Sequence, residues 1–197
     1  MQEKIPADTL VQRLNEKILG KLDITKTLIL GVVLKGLPIA LSIASANRIL
    51  ENFVPVVAHR PLQFQHGVHS YLPSSEWKSY LQEQLSRCEN MIIIDDVVNS
   101  GFTKQKLESV AVSLAKERRI SLSFAALVLN RRNLASPSLV HSSDLFALQV
   151  DAEEVECDWG TITVPLWDLP VEEARKRCGE YFQKHWVNEE RFVTITY

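Results

Sequence analysis

Apolar residues along this chain follow two rhythms. Between Thr9 and Leu19, Leu10, Leu14 and Ile18 recur at helical spacing and stop at Gly20, a residue suited to closing a helix. Thr27 to Leu34 is an unbroken apolar run, as expected of a parallel strand buried on both faces. Lys35-Gly36 reads as a turn, with Pro38 at the first position of a helix reaching about Leu50. Phe53 to Ala58 is a second strand. Arg60 to Ser75 has no period and is rich in Gln, His, Gly, Ser and Pro; an irregular segment of that length in a compact domain is usually functional or mobile. Trp77, Leu81 and Leu85 then mark a short helix and Met91 to Ile94 a strand. Leu107, Val110, Ala111 and Leu114 mark a longer helix, and Leu122 to Leu129 and Leu145 to Val150 two more strands. Strands alternating with helices predict an α/β fold, a Rossmann-like parallel sheet with right-handed crossovers and helices on its faces.

After Val150 the pattern changes. An acidic connector, Trp159-Gly160 and the alternating TITV precede a helix from about Pro170 to Trp186, with Asp168 as its cap and Glu172 and Glu173 in its first turn. Phe192 to Tyr197 reads as a closing strand. The expected organisation is a core over residues 1–150 and a C-terminal appendage of the same domain over 151–197, within the size of one folded unit.

Composition narrows the functional classes. A hydrophobic content of 46% is that of a globular chain, and a net charge of −2 argues against general DNA or RNA binding. The basic clusters Arg118-Arg119, Arg131-Arg132 and Arg175-Lys176-Arg177 are dispersed among acids. Cys88, Cys157 and Cys178 are odd in number and lack metal-ligand spacing, which suits reduced thiols. Leu28 to Ala44 is apolar enough to suggest a membrane span, but Lys35, Gly36 and Pro38 interrupt it, and the N-terminus has no apolar signal core. A soluble, cytoplasmic protein is expected, without membrane partners. His59, His66 and His69 have no Cys or carboxylate at ligand spacing, so solvent-exposed loop histidines are favoured over a metal site.

The chemistry concentrates in Met91 to Thr103, MIIIDDVVNSGFT. An apolar strand ends in two adjacent carboxylates, and in open α/β sheets ligands bind beyond that edge. Asn99, Ser100, Gly101 and Thr103 then supply backbone N–H groups and hydroxyls just before the amphipathic segment Lys104 to Arg118. A turn running into a helix N-terminus is an anion nest suited to phosphate. A sugar phosphate needs both halves, donors for the phosphate and acceptors for the ribose hydroxyls. An ordinary strand and turn with a solvated acid pair is the plain alternative. A response regulator is another, but its acid pair lies on the first strand, and here a strand-helix unit precedes it.

This run resembles the phosphoribosyl pyrophosphate (PRPP) signature of type I phosphoribosyltransferases, and the resemblance extends over roughly Thr27 to Val150. It implies that type I fold with a C-terminal hood. It gives Asp95 and Asp96 the catalytic ribose-binding role and Mg²⁺, held directly or through water, and gives Asn99, Ser100, Gly101, Phe102 and Thr103 the 5′-phosphate. The family usually has a small residue where Phe102 stands, a side chain that can point away. LILGVVLKGLPIALSIA is similar to the family's pyrophosphate loop, which assigns Lys35 and Gly36 to the leaving group. Lys35-Gly36-Leu37-Pro38-Ile39-Ala40 followed by Arg60 and His66-Gly67 keeps the order and spacing of orotate phosphoribosyltransferases, adding Arg60 and His66. Pro61 and Phe64 replace the loop lysines of those enzymes, and their N-terminal Leu-Lys-Ser-Gly-Arg element is missing. Arg131 after the following strand and Trp159 in the hood are the base-binding candidates. The implied partners are PRPP and a nitrogenous base, with a homodimer expected. Three functions remain open: ribose 5-phosphate transfer to the base with release of pyrophosphate, a PRPP- or nucleotide-binding regulator on the same fold, and a structural homologue acting only through a partner.

Overall fold

A computed structural model describes residues 5–33, 36–59, 71–72, 76–151, 154–157, 160–163 and 192–196. Its centre is a seven-stranded sheet. In chain order the elements are α1 (Ala7–Leu19), β1 (Thr27–Val33), α2 (Gly36–Ala46), β2 (Phe53–His59), β3 (Tyr71–Leu72), α3 (Glu76–Leu85), β4 (Asn90–Val98), α4 (Phe102–Arg118), β5 (Ser121–Asn130), β6 (Leu145–Val150), β7 (Glu154–Cys157), β8 (Gly160–Thr163) and β9 (Phe192–Thr196). The sheet order is β3-β9-β2-β1-β4-β5-β6 and every recorded pairing is parallel; β7 and β8 form a separate antiparallel hairpin. The expected α/β architecture, a parallel sheet flanked by helices, is the one found.

The apolar runs divide between two core layers because successive strand residues face opposite ways. Ile29, Ile92 and Ile94 pack with Leu10, Leu14 and Ile18 of α1 and Leu37, Ile39 and Ile43 of α2. Leu28, Leu30, Met91 and Ile93 pack on the other side with Leu81 and Leu85 of α3 and Leu107, Ala111 and Leu114 of α4. Gly31 is required where β1 meets α2, since a Cβ there would lie 2.9 Å from both the Ala40 Cβ and the Phe53 ring. No helix of the described residues is long and apolar enough to cross a membrane.

Several boundaries differ from the sequence reading. The α2 helix starts at Gly36 and ends at Ala46, so Pro38 is its third residue rather than its first. The N-terminal turn of a helix tolerates Pro throughout, because its N–H groups have no helical acceptors. Gly20 closes α1 with φ −72°, not in the left-handed form that favours Gly. The strand carrying the acid pair does not end at the acids but continues to Val98. At the C-terminus, β9 inserts between β3 and β2 of the main sheet. The helix expected over 170–186 lies outside the described residues.

Pairing of β4 with β5 runs to Asp95 opposite Ala126 and resumes in the same register at Val97 opposite Val128. Between β5 and β6 it runs to Ala126 opposite Phe146 and resumes at Val128 opposite Leu148. The side chains change phase at the same row, because Leu127 and Val128 both join the α1/α2 layer, as do Ala147 and Leu148. Three strands therefore share one break in the pleat, through Asp96, Leu127 and Ala147. Such a break re-aims side chains as a bulge does, but without the extra residue that shifts register.

Candidate functional site

From β1 the chain crosses through α2, on one face of the sheet, to β2 on one side. From β4 it crosses through α4, on the opposite face, to β5 on the other side. The winding reverses between β1 and β4, which are hydrogen-bonded neighbours. At such a switch point the loops leaving the two strand ends diverge and open a crevice, where ligands of open α/β sheets bind. Among the described residues, the ends bordering this crevice are Val33 at the end of β1, Gly36 at the start of α2 and the segment from Asp95 to Gly101.

Gly36 and Asp95 meet directly. A Cβ on Gly36 would lie 2.5 Å from the Ile94 carbonyl oxygen and 2.6 Å from the Asp95 Cα, so only Gly allows this approach. Gly36 is the first residue of α2, so the N-terminal end of that helix lies against the Asp95 backbone. Asp95 and Asp96 are each only 8% exposed. The Asp96 N–H donates to Asp95 Oδ1 at 2.9 Å, fixing one carboxylate against the backbone of the next residue. Nearby in sequence, Asn99 keeps a buried Oδ1 with no hydrogen-bond partner among the described residues. A buried acceptor without a donor is costly and marks a place where a ligand or water hydroxyl fits.

The turn after β4 is shaped by Gly101, whose φ of +81° lies in the left-handed region and whose carbonyl accepts the first helical bond, from the Gln105 N–H at 2.9 Å. Ser100 Oγ accepts from the Phe102 N–H at 3.4 Å. Among the described residues no acceptor faces the N–H groups of Ser100 and Gly101. Those donors precede the first turn of α4, where the sequence reading expects a phosphate. Phe102 and Thr103 belong to the first turn of that helix rather than to the loop. The Phe102 side chain is 45% exposed, its ring 5.5 Å from Lys106 Nζ. Beside it an open depression of about 450 Å³ is lined by Ser100, Phe102, Gln105, Ala135 and Leu139.

Arg131 follows β5 at the same edge of the sheet, and its half-exposed guanidinium pairs with Asp151, the residue after β6. Lys35, Arg60, His66 and Trp159 lie outside the described residues, as do the other loop residues from 60 to 70. Among the described residues no group of three or more His, Cys, Asp or Glu is arranged to hold a metal. The oxygen atoms of Asp95, Asp96 and Asn99 are nonetheless the donor type Mg²⁺ takes, and that ion needs few protein ligands when a substrate brings its own phosphate oxygens.

One ionic group went unnoticed in the sequence. Lys104, in the first turn of α4, is 2% exposed; its Nζ bonds Glu108 Oε1 at 2.7 Å and Asp144 Oδ2 at 3.3 Å and lies 5.5 Å from the Phe124 ring centre. In sequence Lys104 and Glu108 stand one helical turn apart, the spacing of a helical ion pair. Nothing in the sequence connects them to Asp144.

No protein-family model matches this chain, and no curated protein matches it either. Among solved structures it is similar to one titled a purine phosphoribosyltransferase from Pyrococcus horikoshii Ot3, with 13% sequence identity, a TM-score of 0.46, and coverage of 81% of this chain and 93% of that one. A similarity that distant carries no function across.

Proposed function

We propose that this protein is a type I phosphoribosyltransferase, transferring ribose 5-phosphate from PRPP to a nitrogenous base and releasing pyrophosphate. The observation that supports this reading is the convergence, at one topological switch point, of a buried acid pair, a glycine-initiated helix packed against the Asp95 backbone and a left-handed glycine turn before α4. In this reading the nest, Ser100 and Gly101 with Phe102 and Thr103, takes the 5′-phosphate. Asp95 and Asp96 accept from the ribose hydroxyls, and the segment ending at Gly36, with Lys35, faces the pyrophosphate. Mg²⁺ would be held by Asp95, Asp96 and substrate oxygens, directly or through water, and would supply charge neutralisation for the leaving pyrophosphate. The sugar becomes cationic as the bond to pyrophosphate breaks, so the chain's own work is to fix the ribose, donate to the departing charge and exclude water. Arg60, His66, Arg131 and Trp159 complete the proposal, the first two toward pyrophosphate and the last two toward the base, in a cytoplasmic homodimer.

A second reading rests on one feature, Pro61 and Phe64 standing where the related enzymes carry lysines. Losing a charged donor to the leaving group costs on the order of 10² to 10³ in rate, which suits a PRPP-binding regulator. Pyrophosphate release from PRPP and Mg²⁺ across a panel of purines, pyrimidines and related bases separates the two. Turnover with one base supports the transferase, and PRPP binding without turnover on any base supports the regulator.

A further inference from the structure

The segment between β5 and β6 is tied to the anion nest at three points. The Ala135 N–H donates to the Ser100 carbonyl at 3.2 Å. Leu139 fills the space beside Gly101, where an added Cβ would come within 2.6 Å of its Cδ1. The third tie is ionic, Asp144 on Lys104, with side chains 0% and 1% exposed. Asp144 is itself held, since its Oδ2 accepts the His141 N–H at 2.6 Å and its own N–H donates to the His141 carbonyl at 3.0 Å. Its Oδ1 is buried with no partner among the described residues, and Glu108 adds a second carboxylate to the single lysine.

Replacing such an ion pair by apolar groups is often neutral or stabilising, so fold stability alone does not account for it. What the pair does specify is position. Lys104 is one helical turn from the N–H groups of Ser100 and Gly101, and Asp144 is on the segment that touches both of those residues. We infer that Lys104 and Asp144 are positioning residues: their buried ion pair, with Ala135 and Leu139, sets the direction of the Ser100 and Gly101 N–H groups, so that the β5–β6 segment tunes the affinity of the nest for a sugar phosphate. The inference rests on the function proposed above, and its test is built to separate the two.

Lys104→Met alone leaves the buried Asp144 carboxylate without its cation and is expected to lower stability. The double variant Lys104→Met with Asp144→Leu removes both charges of the buried pair at similar volume, leaves Glu108 (16% exposed and 3.9 Å from His141 Nε2) to solvent and that imidazole, and is expected to melt above the single variant. In folded double variant, calorimetry with PRPP and Mg²⁺ should show affinity weakened on the order of tenfold, because small misplacements of donors are costly. The ligand-free NMR amide signals of Ser100 and Gly101 should also shift. Affinity within about twofold of the parent, the scatter of uncoupled sites, would overturn the inference. If the parent protein binds no PRPP, the proposed function fails, and the amide signals then decide alone. Unmoved Ser100 and Gly101 amides in the double variant would show that the pair positions nothing.

Discussion

Gly36 is the residue at which sequence and geometry bear most directly on each other. Its missing side chain lets the first turn of α2 rest on the Asp95 backbone. Gly36→Ala should therefore push α2 away, costing about 1–3 kcal/mol of stability by overpacking and weakening ligand binding at the acid pair. Thermal unfolding and calorimetry on the same preparation check this; an alanine variant unchanged in both would mean that the contact is not maintained in solution. Asp96→Asn tests the acid pair in the opposite sense, with the fold kept. Losing a hydrogen bond to a charged acceptor is worth about 1.5–3 kcal/mol, so PRPP affinity should fall at least on the order of tenfold while the melting temperature moves little. Unfolding instead of weakened binding would identify a structural carboxylate. The identity of these residues was legible in the sequence because polar groups interrupting an apolar run stand out. The unpartnered Asn99 Oδ1 and the buried state of Lys104 were not, because both depend on what packs over them from distant parts of the chain.

Among the elements, α4 and the turn before it were the most legible. The apolar rhythm located the helix, and Gly101 marked the turn, whose φ of +81° demands it. Gly101→Ala adds left-handed strain of about 1 kcal/mol and a collision with Leu139. Combining it with Leu139→Ala relieves the collision and leaves the strain, so the double variant should recover only part of the lost stability, as denaturant unfolding can measure. Full recovery would mean that the turn does not hold its left-handed form. The extent of β4 was less legible. Paired aspartates read as the end of a strand, yet the pleat break shared with β5 and β6 carries the strand through them to Val98. Such a break depends on three strands in register, and no single segment displays it.

At the scale of the molecule, alternating helical and strand periods predict a parallel sheet, and the sheet is there, with Gly36 and the turn before α4 on either side of its switch point. The partner of the last strand could not be read. Phe192–Thr196 has the composition of a strand, but only long-range pairing puts it between β3 and β2. A chain truncated before Phe192 should lose stability and associate, since β2 would become an open edge. Light scattering and thermal unfolding measure both, and an equally stable, monodisperse truncated chain would contradict the observed order. Most directly decisive for the account as a whole is titration calorimetry of the full chain with PRPP in the presence of Mg²⁺. Binding at one site per chain is expected, displaced by a nucleoside 5′-monophosphate and weakened by Asp96→Asn. No heat from either ligand, with the protein folded, would contradict the assignment of this switch point to a phosphorylated ribose.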